Sequence, residues 1–174
     1  FGIARELATI TGRPLKAPKT VDLGRYSLLP EVPVDVRATE LVWRYTAIAI
    51  DNIKRKTSPV NMRIRLFYCG SRAINLLADL TNYVMLELGQ PMHAFDRHRV
   101  EKIEVQTPAG DGTFVTLDGV SRKTDKNTLL ITSGDTPVAL AGIMGGDASK
   151  IEDDTDSLLL ESATFDGVCV RKTS

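Results

Sequence analysis

A histidine that follows a sharp helix end is the first candidate for chemistry in this sequence. His93, one of two histidines, stands in the segment Gly-Gln-Pro-Met-His. Gly89 favours the left-handed conformation that closes a helix, and Pro91 prevents the helix from continuing. A rigid helix end can hold polar residues in fixed relation to one another, as a small-molecule site requires. Thr81 and Asn82 on the preceding helix are therefore candidates together with His93, although a lone histidine is more often structural.

A glutamate that directly follows an apolar run is the second candidate. Glu161 comes after three leucines, Leu158 to Leu160, which predict a buried strand with the carboxylate at its end. A buried carboxylate costs several kcal/mol unless it is paired or hydrogen-bonded. Two interpretations follow: a salt bridge to a nearby arginine, or an acceptor that faces a binding pocket.

A glycine-rich segment, Val138 to Gly146, is the third candidate. Three glycines with small neighbours, among them Ala141 and Gly142, let a ligand approach the backbone closely. Tight turns alone would explain the same composition. The segment has neither the spacing of a phosphate-binding loop nor a following Gly-Lys-Ser/Thr.

Other common kinds of catalytic or metal site are disfavoured. The acidic run from Glu152 to Asp156 lacks the central glycine and terminal glutamate of an EF-hand, so it is interpreted as a solvated loop. Cys69 and Cys169 have no neighbours at metal-ligand spacing, which predicts a reducing compartment and no metal site. No Gly-x-Ser-x-Gly motif or cysteine–histidine arrangement indicates a covalent nucleophile.

Composition describes a neutral globular chain. The 174 residues carry 22 basic and 22 acidic side chains, so the chain alone is a poor nucleic-acid binder, because counterion release needs clustered cations. No apolar run approaches the roughly 20 residues that span a bilayer, and we expect a cytoplasmic protein. The abrupt ends predict a piece of a longer protein.

Periodicity predicts helices in the first half and strands in the second. We expect helices over residues 1–10, after the capping pair Ser58-Pro59, and over 75–88 with Asn75 as its cap. The last of these should bury a face that includes Leu76, Leu77, Leu80, Val84 and Leu88. A strand over 42–50 and short strands after residue 95 follow, with a type I′ turn predicted at Asp118-Gly119.

This order of elements favours an α+β fold with a mixed or antiparallel, barrel-like β core and flanking helices. The prolines between residues 16 and 33 predict a division into an N-terminal helix and linker over 1–33 and a domain over 34–174.

Three long blocks together resemble one family, the B3/B4 region of the β subunit of bacterial phenylalanyl-tRNA synthetase. The matching blocks are Ile74-Asn75 with Asp79 to Asp96, Leu140 to Gly146, and Leu159 to Ala163, supported by Arg44 to Ala47 and Val170 to Ser174. The resemblance implies an editing domain that hydrolyses the ester of tyrosine mischarged onto tRNA(Phe). Its implied partners are the tRNA(Phe) 3′ end carrying tyrosine and the synthetase α subunit in an α2β2 assembly. It implies no cofactor in this segment, and ATP and Mg²⁺ for the parent enzyme.

The resemblance also implies a role for each candidate. Glu161 would accept the hydroxyl of tyrosine, and Ala141 and Gly142 would shape a slot for its ring. The polar residues Thr81, Asn82 and His93 would surround the amino group, the ester and the attacking water. His93 could act as general base, or only position water while the ribose hydroxyl assists. The alternative function is a non-catalytic module that positions tRNA.

Overall fold

Two β-sheets face each other across the main hydrophobic core. The computed structural model describes residues 1–54 and 57–174. The five-stranded sheet has the order β1-β4-β7-β8-β9, and the three-stranded sheet has the order β2-β10-β3. The strands of the first are β1 (Val34–Val36), β4 (Ile103–Gln106), β7 (Leu130–Ser133), β8 (Thr136–Leu140) and β9 (Met144–Gly145); those of the second are β2 (Val42–Ile50), β10 (Leu158–Phe165) and β3 (His93–Asp96).

Strand directions confirm the mixed, mainly antiparallel class. β1 pairs in parallel with β4, and all other neighbours in these two sheets are antiparallel. A separate hairpin joins β5 (Gly112–Val115) to β6 (Ser121–Thr124). The sheets do not join into one closed barrel in the part of the chain described here.

The main core takes apolar side chains from both large sheets. Phe95 on β3 and Leu159 on β10 are almost fully buried, as are Val105 on β4 and Ile131 on β7. Burial of such side chains contributes about 1.5–3 kcal/mol each. Packing of its core-facing side chains therefore fixes the three-stranded sheet in place.

Within the described residues the α-helices are four: α1 (Gly2–Thr11), α2 (Val60–Tyr68), α3 (Leu76–Leu88) and α4 (Gly167–Thr173). A short 3₁₀ helix over Leu23–Tyr26 and another over Asp147–Ser149 complete the regular elements of the described residues. α1 has no buried residue and lies outside the core. Within the described residues, no helix is both long and apolar enough to cross a membrane.

The predicted caps of α3 are confirmed, because they depend on local interactions. The side chain of Asn75 accepts hydrogen bonds from the amides of Leu77 and Ala78 at 3.1 and 3.0 Å. Gly89 closes the helix with φ +79°. The predicted buried face was largely wrong, since Leu77 is its one buried member and Leu80 and Leu88 are exposed. α3 lies against α2 and β3 with only part of its surface.

The predicted cap at Ser58 is wrong. Pro59 occupies the N-cap position of α2, and its carbonyl accepts from the amides of Met62 and Arg63. Ser58 is buried and donates instead to the carboxylate of Asp79 at 2.5 Å. This buried hydrogen bond joins the start of α2 to α3.

The turn at Asp118-Gly119 also differs from the prediction. A type I′ turn needs positive φ at both central residues, whereas Gly119 has φ +76° and Asp118 does not have positive φ. The amide of Thr116 donates to the carbonyl of Val120, so the connection is longer than two residues.

Candidate functional site

Strand pairing brings two of the predicted residues directly together. β10 is the central strand of its sheet, with Glu161 opposite His93 on β3 and opposite Ala47 on β2. Directly opposite residues of an antiparallel pair project from the same face of the sheet. His93 and Glu161 therefore share one face, although 67 residues separate them in the sequence.

Glu161 is a buried carboxylate whose partner is a phenol. Its exposed fraction is 6%, and the hydroxyl of Tyr45 donates to its Oε2 at 2.9 Å. Burial raises the pKa of Glu161 to about 7, and the Tyr45 hydrogen bond opposes part of this rise. Burial, together with the adjacent carboxylate, also raises the pKa of Tyr45 far above its ordinary value. Of the two interpretations of Glu161, the arginine salt bridge is not found among the described residues. Glu161 lies inside β10, not at its end as predicted.

His93 is held as a neutral imidazole. Burial lowers the pKa of His93 to about 4, and its ring lies edge-on to Phe95 with the centroids 4.5 Å apart. Its Nε2 is buried and has no hydrogen-bond partner among the described residues. Such an unpaired buried nitrogen has a hydrogen-bonding capacity that a water or ligand could satisfy. The other histidine, His98, is exposed and bonds to Asp156.

The backbone of β9 lies directly against the His93 ring. A Cβ placed on Gly145 would come within 2.4 Å of Cε1 and 2.6 Å of Nε2. Real side chains do not tolerate contacts of this length, so a larger residue here would displace the ring. At Gly145, the five-stranded sheet thus contacts His93 on the three-stranded sheet.

Ala141 and Gly142 follow β8 at the edge of the core. Ala141 is buried, and its amide donates to the carbonyl of Leu129 at 3.0 Å. Gly142 has φ +70°, and a Cβ there would lie 3.1 Å from both Phe165 and Val170. Phe165 packs edge-on against Tyr45, with centroids 6.3 Å apart. A series of contacts therefore runs from Gly142 through Phe165 and Tyr45 to Glu161.

Thr81 and Asn82 are both half-buried on α3. The hydroxyl of Thr81 donates to the carbonyl of Ala78 at 2.9 Å, within its own helix. The described contacts include no hydrogen bond from Thr81 or Asn82 to His93 or Glu161. After the helix, the side chain of Gln90 donates to the carbonyl of Ala163 at 3.1 Å.

Neighbouring groups contact both Glu161 and His93 in this structure. Two cavities lie elsewhere: one of about 860 Å³ between the β5–β6 hairpin and α4, and one of about 470 Å³ beside α2. At the site, Tyr45 contacts Glu161 and Gly145 lies against His93. Oε2 of Glu161 and Nε2 of His93 are thus each covered by a neighbouring group. Among the described residues, no cluster of three or more His, Cys, Asp or Glu side chains could hold a metal ion.

Sequence reasoning assigned no role to Tyr45, and it included Gly145 only as part of the glycine-rich segment Val138 to Gly146. Tyr45 falls in a predicted strand, and alternation places it on the same face as Ala47. This alternation and the matching block Arg44 to Ala47 were the available signals, and neither says which strand lies beside β2. The contact with Glu161 depends on the pairing of strands that are distant in sequence.

Comparison with known proteins identifies the family. The family model described as the B3/4 domain matches residues 41–174, and the chain belongs to this family. It is 42% identical over 99% of its length to the phenylalanine–tRNA ligase beta subunit of Dehalococcoides mccartyi. It is 44% identical over its whole length to the subunit of the same name from Desulfotalea psychrophila. The resemblance stated above is confirmed.

The chain spans 22% of the length of these relatives. Among solved structures, it resembles an N-terminal fragment of the phenylalanyl-tRNA synthetase beta subunit from Pyrococcus horikoshii. The TM-score is 0.53 with 11% identity, over 93% of this chain and 50% of that one. At this identity the likeness concerns the fold, and it agrees with the α+β class.

Proposed function

We propose that this chain is the editing module of a phenylalanine–tRNA ligase β subunit and hydrolyses the ester of tyrosyl-tRNA(Phe). The observation that carries the proposal is the buried carboxylate of Glu161, which already accepts a phenolic hydrogen bond and lies opposite His93. A site that accepts the phenol of Tyr45 has the chemistry needed to accept the phenol of a tyrosine substrate.

Discrimination would come from Glu161. A hydrogen bond from a phenol to a carboxylate is charge-assisted and stronger than a neutral one. Phenylalanine lacks the hydroxyl and would leave the buried acceptor unpaired. Sites built in this way reject the analogue that lacks the group by roughly 10⁴ to 10⁵. The slot for the ring is assigned to Ala141 and Gly142.

Hydrolysis would take place at the His93 end of the site. The neutral imidazole offers a nitrogen that can accept a hydrogen bond from water, and positioning of that water against an activated ester supplies much of the rate. With a pKa of about 4, His93 is a weak base at neutral pH, because the best general base titrates near the working pH. This favours water positioning, with the ribose hydroxyl as the assisting group. Thr81 and Asn82 are assigned to the amino group and the ester.

The remaining partners belong to the proposed parent enzyme. The tRNA(Phe) 3′ end would bring the substrate, and the α subunit would carry aminoacylation with ATP and Mg²⁺. Because the chain has zero net charge, most of the affinity for tRNA should come from other regions. We assign the catalytic unit to residues 34–174 and the enzyme to the cytoplasm.

The test is deacylation of tyrosyl-tRNA(Phe) by a synthetase that carries this segment. Glu161→Ala and His93→Ala should each reduce the rate, while His98→Ala, a change at the exposed histidine, should leave it unchanged. Normal editing by both site variants would reject the assignment and favour the non-catalytic tRNA-positioning module. Glu161→Gln keeps an acceptor but removes the negative charge, so the preference for the tyrosyl over the phenylalanyl ester should be reduced.

A further inference from the structure

The phenol of Tyr45 occupies the acceptor that the proposed substrate needs. Tyr45 pairs with Ala163 and Glu161 pairs with Ala47, so Tyr45 and Glu161 are diagonal neighbours on one face of adjacent strands. The hydroxyl donates to Oε2 at 2.9 Å. Within the described residues, this is the one hydrogen bond to the Glu161 carboxylate.

The ring of Tyr45 also contacts the neighbour of Gly142. It packs edge-on against Phe165 at an interplanar angle of 62°, and Phe165 lies next to Gly142. One end of the Tyr45 side chain therefore contacts the acceptor for the hydroxyl, and its ring reaches toward the slot for the aromatic ring. A phenol of the protein thus already occupies the acceptor expected for a tyrosine ligand, and its ring packs on the residue beside Gly142.

We propose that Tyr45 is an internal competitor that every ligand must displace from Glu161, and that it sets the affinity of the site while Glu161 sets the preference for tyrosine. The proposal rests on the function proposed above. When tyrosine enters, it replaces one phenolic hydrogen bond by another. When phenylalanine enters, the bond is broken and not replaced.

The two roles separate because displacement is common to both ligands. In a variant without the Tyr45 hydroxyl, neither tyrosine nor phenylalanine has to break the hydrogen bond to Glu161. Both ligands should therefore bind more tightly, and by the same factor. The ratio of their affinities depends on the bound complexes, in which Tyr45 no longer contacts Glu161, so it should not change. The competitor thus lowers the occupancy of the site by both esters equally, and the preference between them is left to Glu161.

Calorimetric titration of the 174-residue chain with tyrosinamide and phenylalaninamide tests this at alkaline pH, where Glu161 is ionised. Tyr45→Phe should tighten both affinities by roughly tenfold or more, the factor expected for a hydrogen bond to a charged group, with the ratio unchanged. Tyr26→Phe removes a phenol far from the site in sequence and should change neither. Unchanged, weaker or undetected binding to Tyr45→Phe overturns the proposal, as does a changed ratio.

Two further measurements distinguish a failure of the competitor role of Tyr45 from a failure of the proposed function. Glu161→Gln with Tyr45 intact tests the proposed function: a reduced preference for tyrosinamide supports it, and an unchanged preference rejects it whatever Tyr45→Phe does. NMR of the wild-type chain with ¹³C-labelled tyrosine does not depend on folding of a variant. The Tyr45 ring resonance should shift on addition of tyrosinamide, and a resonance that stays fixed at saturation overturns the competitor role alone.

Discussion

Replacement of Glu161 by glutamine is expected to stabilise the fold at neutral and alkaline pH. Burial raises the pKa of the carboxyl from 4.5 to about 7, so between these values the folded state holds a proton that the unfolded state has released. The stability that this protonation contributes is complete below pH 4.5 and is lost as the pH rises through 7. At about 1.4 kcal/mol for each pKa unit, the loss amounts to roughly 3 kcal/mol.

Glutamine keeps an acceptor for the Tyr45 hydroxyl and removes the ionisation. Urea unfolding of both proteins across the pH range gives the difference in free energy of unfolding, in which the contributions of all other groups cancel. The free energy of unfolding of Glu161→Gln minus that of the wild type should increase between pH 4.5 and 7 and then remain level. Glu6→Gln, at an exposed position on α1, is the control for removal of a carboxylate from the surface. A flat or falling curve for Glu161→Gln would refute the reasoning that burial sets this pKa.

Three other changes have expected outcomes. Burial lowers the pKa of His93 from 6.5 to about 4. As the pH falls through this window, the free energy of unfolding of the wild type, measured in urea, should decrease by roughly 3 kcal/mol relative to that of His93→Gln. The same pH dependence in both proteins would contradict this. Gly145→Ala should cost about 1–3 kcal/mol in the same assay because its Cβ would overlap the His93 ring, whereas Gly110→Ala meets no atom within 4 Å. Asn75→Ala should lose about 1 kcal/mol in thermal unfolding through the missing cap of α3, and an unchanged melting temperature would rule out that contribution.

Local interactions explain which parts of the fold could be predicted. Asn75 caps the amides of the next residues of the chain, and Gly89 supplies a left-handed φ. Each of these depends on a few neighbouring residues. Ser58 was misassigned because its partner, Asp79, is 21 residues away and competes successfully with a local capping role.

The candidate site could be predicted as a set of residues but not as an arrangement. His93 and Glu161 were chosen from a helix stop and a buried strand, and the family resemblance grouped them. Nothing in the local pattern states that β10 runs between β2 and β3, which is what places Tyr45 against Glu161. The half-buried positions of Thr81 and Asn82 likewise depend on how α3 rests on β3.

By itself the sequence determined the helix ends, the approximate strands, the α+β class and the membership of a family, because these follow from short-range conformational preference and from ordered blocks of residues. Tertiary structure alone decided the chemical state of the site. The pKa of a carboxyl or an imidazole responds to the removal of water and to the partners that reach it. The burial of these groups and their hydrogen-bond partners both come from strands that are distant in sequence. For this reason the closed contact between Tyr45 and Glu161, and the unpaired nitrogen of His93, emerge only when the two sheets enclose them.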